Sequence, residues 1–236
     1  MMVLVGQVVV AGHVDATGIR QDARSLVARD NALLLAAGIG LASVAWSYDQ
    51  RAVGQLEENP VLELTDVTNL YGSSKFNLPA AVLAWSVGRA SGQDKLSSMG
   101  SASLRALLYV QAVVVPIKIG VGRERPDGSN RRSFPSGHTA NSFALAEVFR
   151  SGYGWKVGAP LCGLGVFTAL GRMEENVHHL SDVIVGAAIG IVIGRSVNVF
   201  SAPVQVAPTP TGMSVSMAFL GKPRCRTSEE SELTAR

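Results

Sequence analysis

Residues 107–126 read LLYVQAVVVPIKIGVGRERP, and this stretch decides the fold. The apolar run 107–119 reads as a helix, with Lys118 at its end. Arg125 follows seven residues later, two helical turns if the helix continued. Gly120 and Gly122 weaken that continuation, and Pro126 biases Arg125 toward an extended backbone. The reading is therefore a helix ending in a lysine, then a loop carrying an arginine. Lysine offers a compact point charge and arginine a planar fork, two complementary ways to hold an oxyanion.

Two further clusters lie downstream. Pro135 stops the loop, and Ser136 is a suitable N-cap for a helix starting near Thr139. Gly137 allows backbone amides to approach a ligand closely. Free N–H groups at a helix start form an anion site, and His138 in that first turn can exchange a proton there. A second apolar run, 157–170, leads into Arg172. Beyond it His178 and Asp182 stand four apart, which on a helix places them on one face. A carboxylate against one imidazole nitrogen fixes the tautomer and leaves the other free to attack. His179 points elsewhere around that helix and receives no role. Arg123, Arg131 and Arg132 read as solvated loop cations. Imidazoles and carboxylates also ligate zinc. However, the chain has 4 histidines, without a His-x3-His or Cys-x2-Cys pair, and the clustered cations would repel a metal. The expectation is no metal and no cofactor.

Together these residues resemble the three-part signature of the type 2 phosphatidic acid phosphatase and vanadium haloperoxidase superfamily. That signature is Lys-x6-Arg-Pro, Pro-Ser-Gly-His and Ser-Arg-x5-His-x3-Asp. Lys118 with Arg125-Pro126, Pro135-Ser136-Gly137-His138, and Arg172 with His178 and Asp182 reproduce its order and spacings. Gly171 stands where the family has serine. The resemblance covers roughly residues 100–195 and implies roles. Lys118, Arg125 and Arg172 would hold phosphate with Ser136 and the Gly137 amide. His178 would be the nucleophile, Asp182 its orienting partner, and His138 the acid and then the base. A phosphorylated lipid or another phosphate ester would be the substrate. Vanadium haloperoxidase chemistry, a soluble acid phosphatase and a membrane structural protein with a relic site stand as alternatives.

Composition fits a helical protein rich in apolar surface. The 236 residues are 47% hydrophobic and 17% charged, with a net charge of +3. This leans toward a membrane or a deeply buried bundle. Without a basic helix interleaved with aromatics, nucleic-acid binding is not expected. Cys162 and Cys225 do not make a disulfide framework. The apolar start, 1–14, lacks a basic leader and a clean cleavage site, which leaves a signal peptide open.

Six stretches read as helices: 22–47, 76–91, 102–120, 137–151, 157–171 and 181–199. The expected fold class is all-α, a six-helix bundle embedded in a membrane. Its parts are an N-terminal segment 1–21, a helical domain 22–200 and a tail 201–236. Within the tail, 202–211 reads as a proline- and threonine-rich connector, 213–219 as a short alternating strand and 222–236 as a disordered polar end. If every stretch crosses, all three motifs share one face with the polar connection 48–75 and its acids Asp49, Glu57, Glu58, Glu63 and Asp66. Arg89, Lys95, Arg105, Arg150, Lys156 and Arg195 fall on the other. That positive-inside pattern places the N-terminus in the cytoplasm and the site on the outer face of a bacterial-type inner membrane. The alternative is a soluble bundle in the periplasm. Only 104–121 and 183–200 approach the length of about 20 apolar residues that spanning requires.

Overall fold

A computed structural model of the chain describes residues 17–58, 70–199, 204–209 and 212–217. The helices are α1 (Thr17–Leu26), α2 (Arg29–Ala45), α3 (Asp49–Glu58), α4 (Ser74–Ala90), α5 (Asp94–Val121), α6 (Gly137–Tyr153), α7 (Trp155–Glu174) and α8 (Leu180–Ser196). One 3-10 turn, Trp46–Tyr48, joins α2 to α3. The helices described from residue 19 to residue 199 belong to one compact unit, and the described residues 204–209 and 212–217 belong to another. That other unit contains an antiparallel hairpin of β1 (Val204–Thr209) and β2 (Gly212–Met217), with Val206 opposite Val215.

All six expected stretches are helical, with two corrections. The first is split, because Ala28 is extended (φ −61, ψ 145) and starts α2 afresh. The second concerns the expected polar connection 48–75, whose beginning is α3. Asp49 in its first turn suits the positive end of the helix dipole, and Val53 is buried. In the tail, residues 204–209 pair as β1 where a connector was expected, and the alternation at 213–217 lies in β2. The apolar start 1–14, the turn at Pro60, Glu63, Asp66, Cys225 and the polar end 222–236 lie outside the described residues.

Helix α6 is the hub, packed on α5, α7 and α8. Its polar side chains Thr139, Asn141, Ser142 and Glu147 are all buried, so its half-polar sequence faces neighbouring helices. Asn141 donates to the Gly72 carbonyl (3.0 Å) and to Ser74 Oγ (2.8 Å), while Gln111 donates to Asn141 Oδ1 (3.1 Å). This network joins α4, α5 and α6 and satisfies both ends of the buried Asn141 amide. On α8, Gly186, Gly190 and Gly194 recur every helical turn. A Cβ at these positions would lie 2.5, 2.3 and 2.5 Å from the carbonyl oxygens of Ser136, Ala140 and Ala144. Only hydrogen fits there, so the stripe sets how closely α8 approaches α6. Val110, Val114, Ala140, Ala144, Ile189 and Ile193 fill the core between these helices.

Buried charge is neutralised at two places on the side away from the motifs. Arg105 pairs with Asp22 at 2.6 Å and donates to the Asn198 carbonyl at 2.7 Å. Arg150 pairs with Glu147 at 2.7 Å. These two arginines therefore leave the set of surface cations read as a topology signal, which rests on Arg89, Lys95, Lys156 and Arg195. The outer surface is apolar, with Leu33, Leu41, Val44, Leu83, Ile119 and Phe167 exposed. Among the described residues, 29–56 and 94–121 are long and apolar enough to cross a membrane. Only 17% and 28% of their most apolar windows is buried within the protein.

Candidate active site

Lys118 sits in the last turn of α5. The helix runs through Gly120 and stops at Gly122, whose left-handed backbone (φ 58) returns its N–H to the Lys118 carbonyl at 3.1 Å. Glycine adopts that conformation without a Cβ penalty. The Lys118 ammonium donates to the Arg132 carbonyl (2.7 Å) and the Ser133 carbonyl (3.2 Å). Arg125 follows on the loop, in a turn closed by Gly128 N–H to the Arg125 carbonyl at 3.0 Å. Its Nε is buried with no hydrogen-bond partner among the described residues.

Ser136 is the N-cap of α6 and accepts from the Thr139 hydroxyl at 2.9 Å. Its own N–H donates to the Asp182 carbonyl at 3.0 Å, which fixes the start of α6 against the start of α8. Gly137 has only ordinary contacts where a Cβ would stand, with Lys118 Cε at 3.9 Å. His138 occupies the first turn of α6. Arg172 lies in the last turn of α7, its guanidinium 2.7 Å from Glu175 Oε2. The Arg172 carbonyl accepts from both Val177 N–H and His178 N–H at 3.2 Å. That bifurcated turn brings His178 back over the end of α7. Lys118, Arg125, Arg172, His138 and His178 consequently lie within electrostatic reach of one another. The structure thus brings all the sequence-predicted site residues to one end of α5–α8.

The His178–Asp182 pair meets differently from expectation. His179 is the N-cap of α8, so His178 precedes the helix and does not share its face. Asp182 is the third residue of α8 and reaches back in a capping box, accepting from His179 N–H at 2.9 Å. His178 Nδ1 stands 3.6 Å from Asp182 Oδ2, just beyond hydrogen-bond reach. The ring is 2% exposed, and this burial pushes its pKa down to about 4. Asp182 opposes the shift, while Lys118 and Arg172 reinforce it. With its pKa at about 4, the imidazole is neutral at physiological pH.

Arg123 is not a solvated loop cation. One end of its fork reaches Asp182 Oδ1 and Ser181 Oγ, each at 2.6 Å, and the other reaches Asp49 Oδ2 at 2.6 Å. Its guanidinium stacks over the Trp46 ring at 3.8 Å. Asp49 also accepts from the N–H and hydroxyl of Ser181, at 2.8 and 2.7 Å. Ser133 donates to Asp182 Oδ2 as well. Sequence reasoning missed Arg123, Asp49 and Ser133. Arg123 falls between two motif positions, and Asp49 lies 74 residues away from it without a spacing rule to connect them. Arg131 and Arg132 are exposed, as expected. Among the described residues, no three His, Cys, Asp or Glu side chains converge as a metal-binding set.

The family model described as PAP2 superfamily matches residues 101–203. A lipid A 1-phosphatase of Porphyromonas gingivalis is 45% identical over 83 residues, covering 33% of this chain and 18% of that protein. A probable diacylglycerol pyrophosphate phosphatase of Schizosaccharomyces pombe is 38% identical over 76 residues, covering 26% and 27%. A lipid A 4'-phosphatase of Helicobacter pylori is 32% identical over 66 residues, covering 28% and 33%. The chain therefore matches a third or less of the length of each of these relatives. Among solved structures, a transmembrane PAP2-type phosphatidylglycerolphosphate phosphatase of Bacillus subtilis superposes with TM-score 0.54 at 22% identity, covering 74% of this chain and 92% of that one. The Aquifex aeolicus protein LpxE gives 0.50 at 23%, covering 62% and 92%. At these identities the likeness is one of fold.

Proposed function

We propose that the chain, whose residues 101–203 match the PAP2-superfamily model, is a phosphatase that removes phosphate from a lipid phosphomonoester or pyrophosphate through a phosphohistidine. One observation carries the reading: three fixed cations, a neutral buried imidazole with a carboxylate behind it, and a second imidazole share one end of the bundle. Lys118, Arg125 and Arg172 hold the phosphate oxygens, with Ser136 and the Gly137 N–H at the start of α6. Asp182 faces Nδ1 of His178, which leaves Nε2 to attack phosphorus. As the P–N bond forms, the bond to the leaving oxygen breaks and that oxygen takes a proton from His138. A water molecule then attacks phosphorus and gives its proton to His138. The P–N bond breaks, and phosphate leaves with His178 neutral again. Bound phosphate offsets the cations around His138 and so favours its protonated form before the first step. The same cations stabilise charge that develops in the transition state, the part a metal plays elsewhere.

The relatives named for lipid A and diacylglycerol pyrophosphate support a lipid leaving group. The exposed apolar faces of 29–56 and 94–121 support a membrane location, since soluble monomers rarely show such continuous apolar surface. In this reading the helical domain 22–200 lies in a bacterial-type inner membrane and its catalytic end faces outward.

The test is release of inorganic phosphate from vesicles offering phosphatidic acid, a polyprenyl pyrophosphate or a phosphorylated glucosamine lipid, beside a soluble phosphate ester. Hydrolysis of a lipid phosphate is expected to survive excess chelator, yield to vanadate and vanish in His178→Ala. Turnover of the soluble ester alone, by protein that stays in the supernatant without detergent, would replace this reading with a soluble acid phosphatase. Turnover by His178→Ala would remove the phosphohistidine.

A further inference from the structure

We propose that Arg123 and Asp49 are positioning residues that hold Asp182 in register with His178, a deepening that rests on the phosphatase reading above. Asp182 is wholly buried, and its two oxygens do different things. Oδ2 takes the Ser133 hydroxyl and the His179 N–H and faces His178. Oδ1 is held by Arg123. A carboxylate pivots about one bond, so fixing Oδ1 fixes where Oδ2 stands relative to the imidazole.

Arg123 is itself held on three sides: by Asp49, by Ser181 and by the Trp46 ring. Ser181 adjoins Asp182 in sequence and donates twice to Asp49. The result is a closed ring of charge-assisted bonds that joins the α2–α3 junction, the loop after α5 and the first turn of α8. Such bonds are shorter and stronger than neutral ones, and the planar fork supplies a geometry that lysine cannot. Two carboxylates balance the Arg123 charge, so it is not a fourth cation for phosphate. Asp49 and Trp46 also lie outside residues 101–203. The matched segment therefore takes part of its dyad support from the N-terminal helices.

The arrangement sets opposite expectations for two substitutions. Arg123→Gln leaves Asp49 and Asp182 without their shared cation and raises the proton affinity of His178. Asp49→Asn leaves Arg123 with one carboxylate fewer and lowers it. The other charged groups facing His178, Lys118 from α5 and Arg172 from α7, and the neighbouring His138 from α6, are unchanged in both.

Arg123→Gln, Arg123→Lys and Asp49→Asn would be made in the full chain and studied in detergent. His178 is titrated by imidazole NMR, and kcat and KM are measured on phosphatidic acid in mixed detergent micelles. The His178 midpoint is expected to rise in Arg123→Gln and fall in Asp49→Asn, each by about half a pH unit or more. In both, kcat should fall about tenfold or more with KM within about twofold. Arg123→Lys keeps the charge but loses the fork, so its midpoint should stay near wild type while kcat remains low. An unmoved midpoint with intact kcat overturns the proposal. So does a rise in KM at constant kcat, which would make Arg123 a phosphate ligand. If Arg123→Gln does not fold, the near-isosteric Asp49→Asn decides, and loss of folding in both assigns a purely structural role and overturns it. If wild type hydrolyses no phosphate ester, the phosphatase reading fails, while the titrations still judge the positioning role.

Discussion

Replacing His138 with alanine separates two demands on one imidazole. A nitrophenyl leaving group departs with little protonation, whereas an alkyl alcohol needs a proton as its bond to phosphorus breaks. In the phosphorylation step, isolated by rapid quench, His138→Ala should slow an alkyl phosphate at least about tenfold more than nitrophenyl phosphate; equal losses would remove its role as general acid. For His178 the prediction concerns the protein without substrate. Its pKa lies near 4 in the fold against 6.5 for the unperturbed side chain. Between these values the unfolded chain binds more protons than the folded one, so this contribution to stability is complete above about pH 6.5 and is lost as pH falls toward 4. An NMR titration should place the His178 midpoint well below 6, and a midpoint at or above 6.5 would contradict the burial argument. The motif residues at this scale were legible because each sits at a fixed spacing from a helix end. Arg123 was not. Nothing in its local sequence distinguishes it from Arg131 and Arg132, and its two carboxylate partners come from elements remote in the chain.

Between elements, α8 packs closely on α6, and the contact depends on residues with no chemistry. At Gly190 a Cβ would sit 2.3 Å from the Ala140 carbonyl oxygen, a backbone atom that cannot swing aside. Gly190→Val should therefore push α8 away from α6 and cost about 1–3 kcal/mol in overpacking. Because Ser136 N–H is bonded to the Asp182 carbonyl across this same contact, kcat should fall too. On α7, Gly163 has nothing within 4 Å of its would-be Cβ, and Gly163→Ala should leave turnover unchanged and hold or slightly raise the melting temperature. Equal tolerance at both positions, measured by thermal unfolding in detergent, would show that the stripe does not set the spacing. The helices themselves were readable from apolar periodicity. The rank of α6 was not, because its threonine, asparagine, serine and glutamate weakened it as a spanning segment. Those side chains find their partners inside the bundle, Thr139 in Ser136, Asn141 in Gln111 and Ser74, Ser142 in Thr168 and Glu147 in Arg150. Hydropathy counts polarity without knowing which way it faces.

For the whole molecule the expectation is that the catalytic end lies outside the cell and the α4–α5 turn inside. In a chain with Cys162 and Cys225 replaced, Ser129→Cys should react with an impermeant thiol reagent in intact cells. Gln93→Cys should react only after the membrane is opened. Both positions are exposed, so the reverse pattern would invert the topology and simultaneous labelling would argue against embedding. The charge bias behind this expectation was overread in the sequence, since Arg105 and Arg150 are each tied to a carboxylate. The Asp22–Arg105 pair also bears on how the chain is made. An arginine well inside an apolar helix raises the cost of placing that helix in a bilayer by about 2.5–3.5 kcal/mol. Asp22 leaves the ribosome 83 residues ahead of it, so the countercharge is already in place when α5 emerges. If α5 spans a bilayer, as proposed, Arg105 would cross as one half of a neutral pair whose other half is Asp22 on α1.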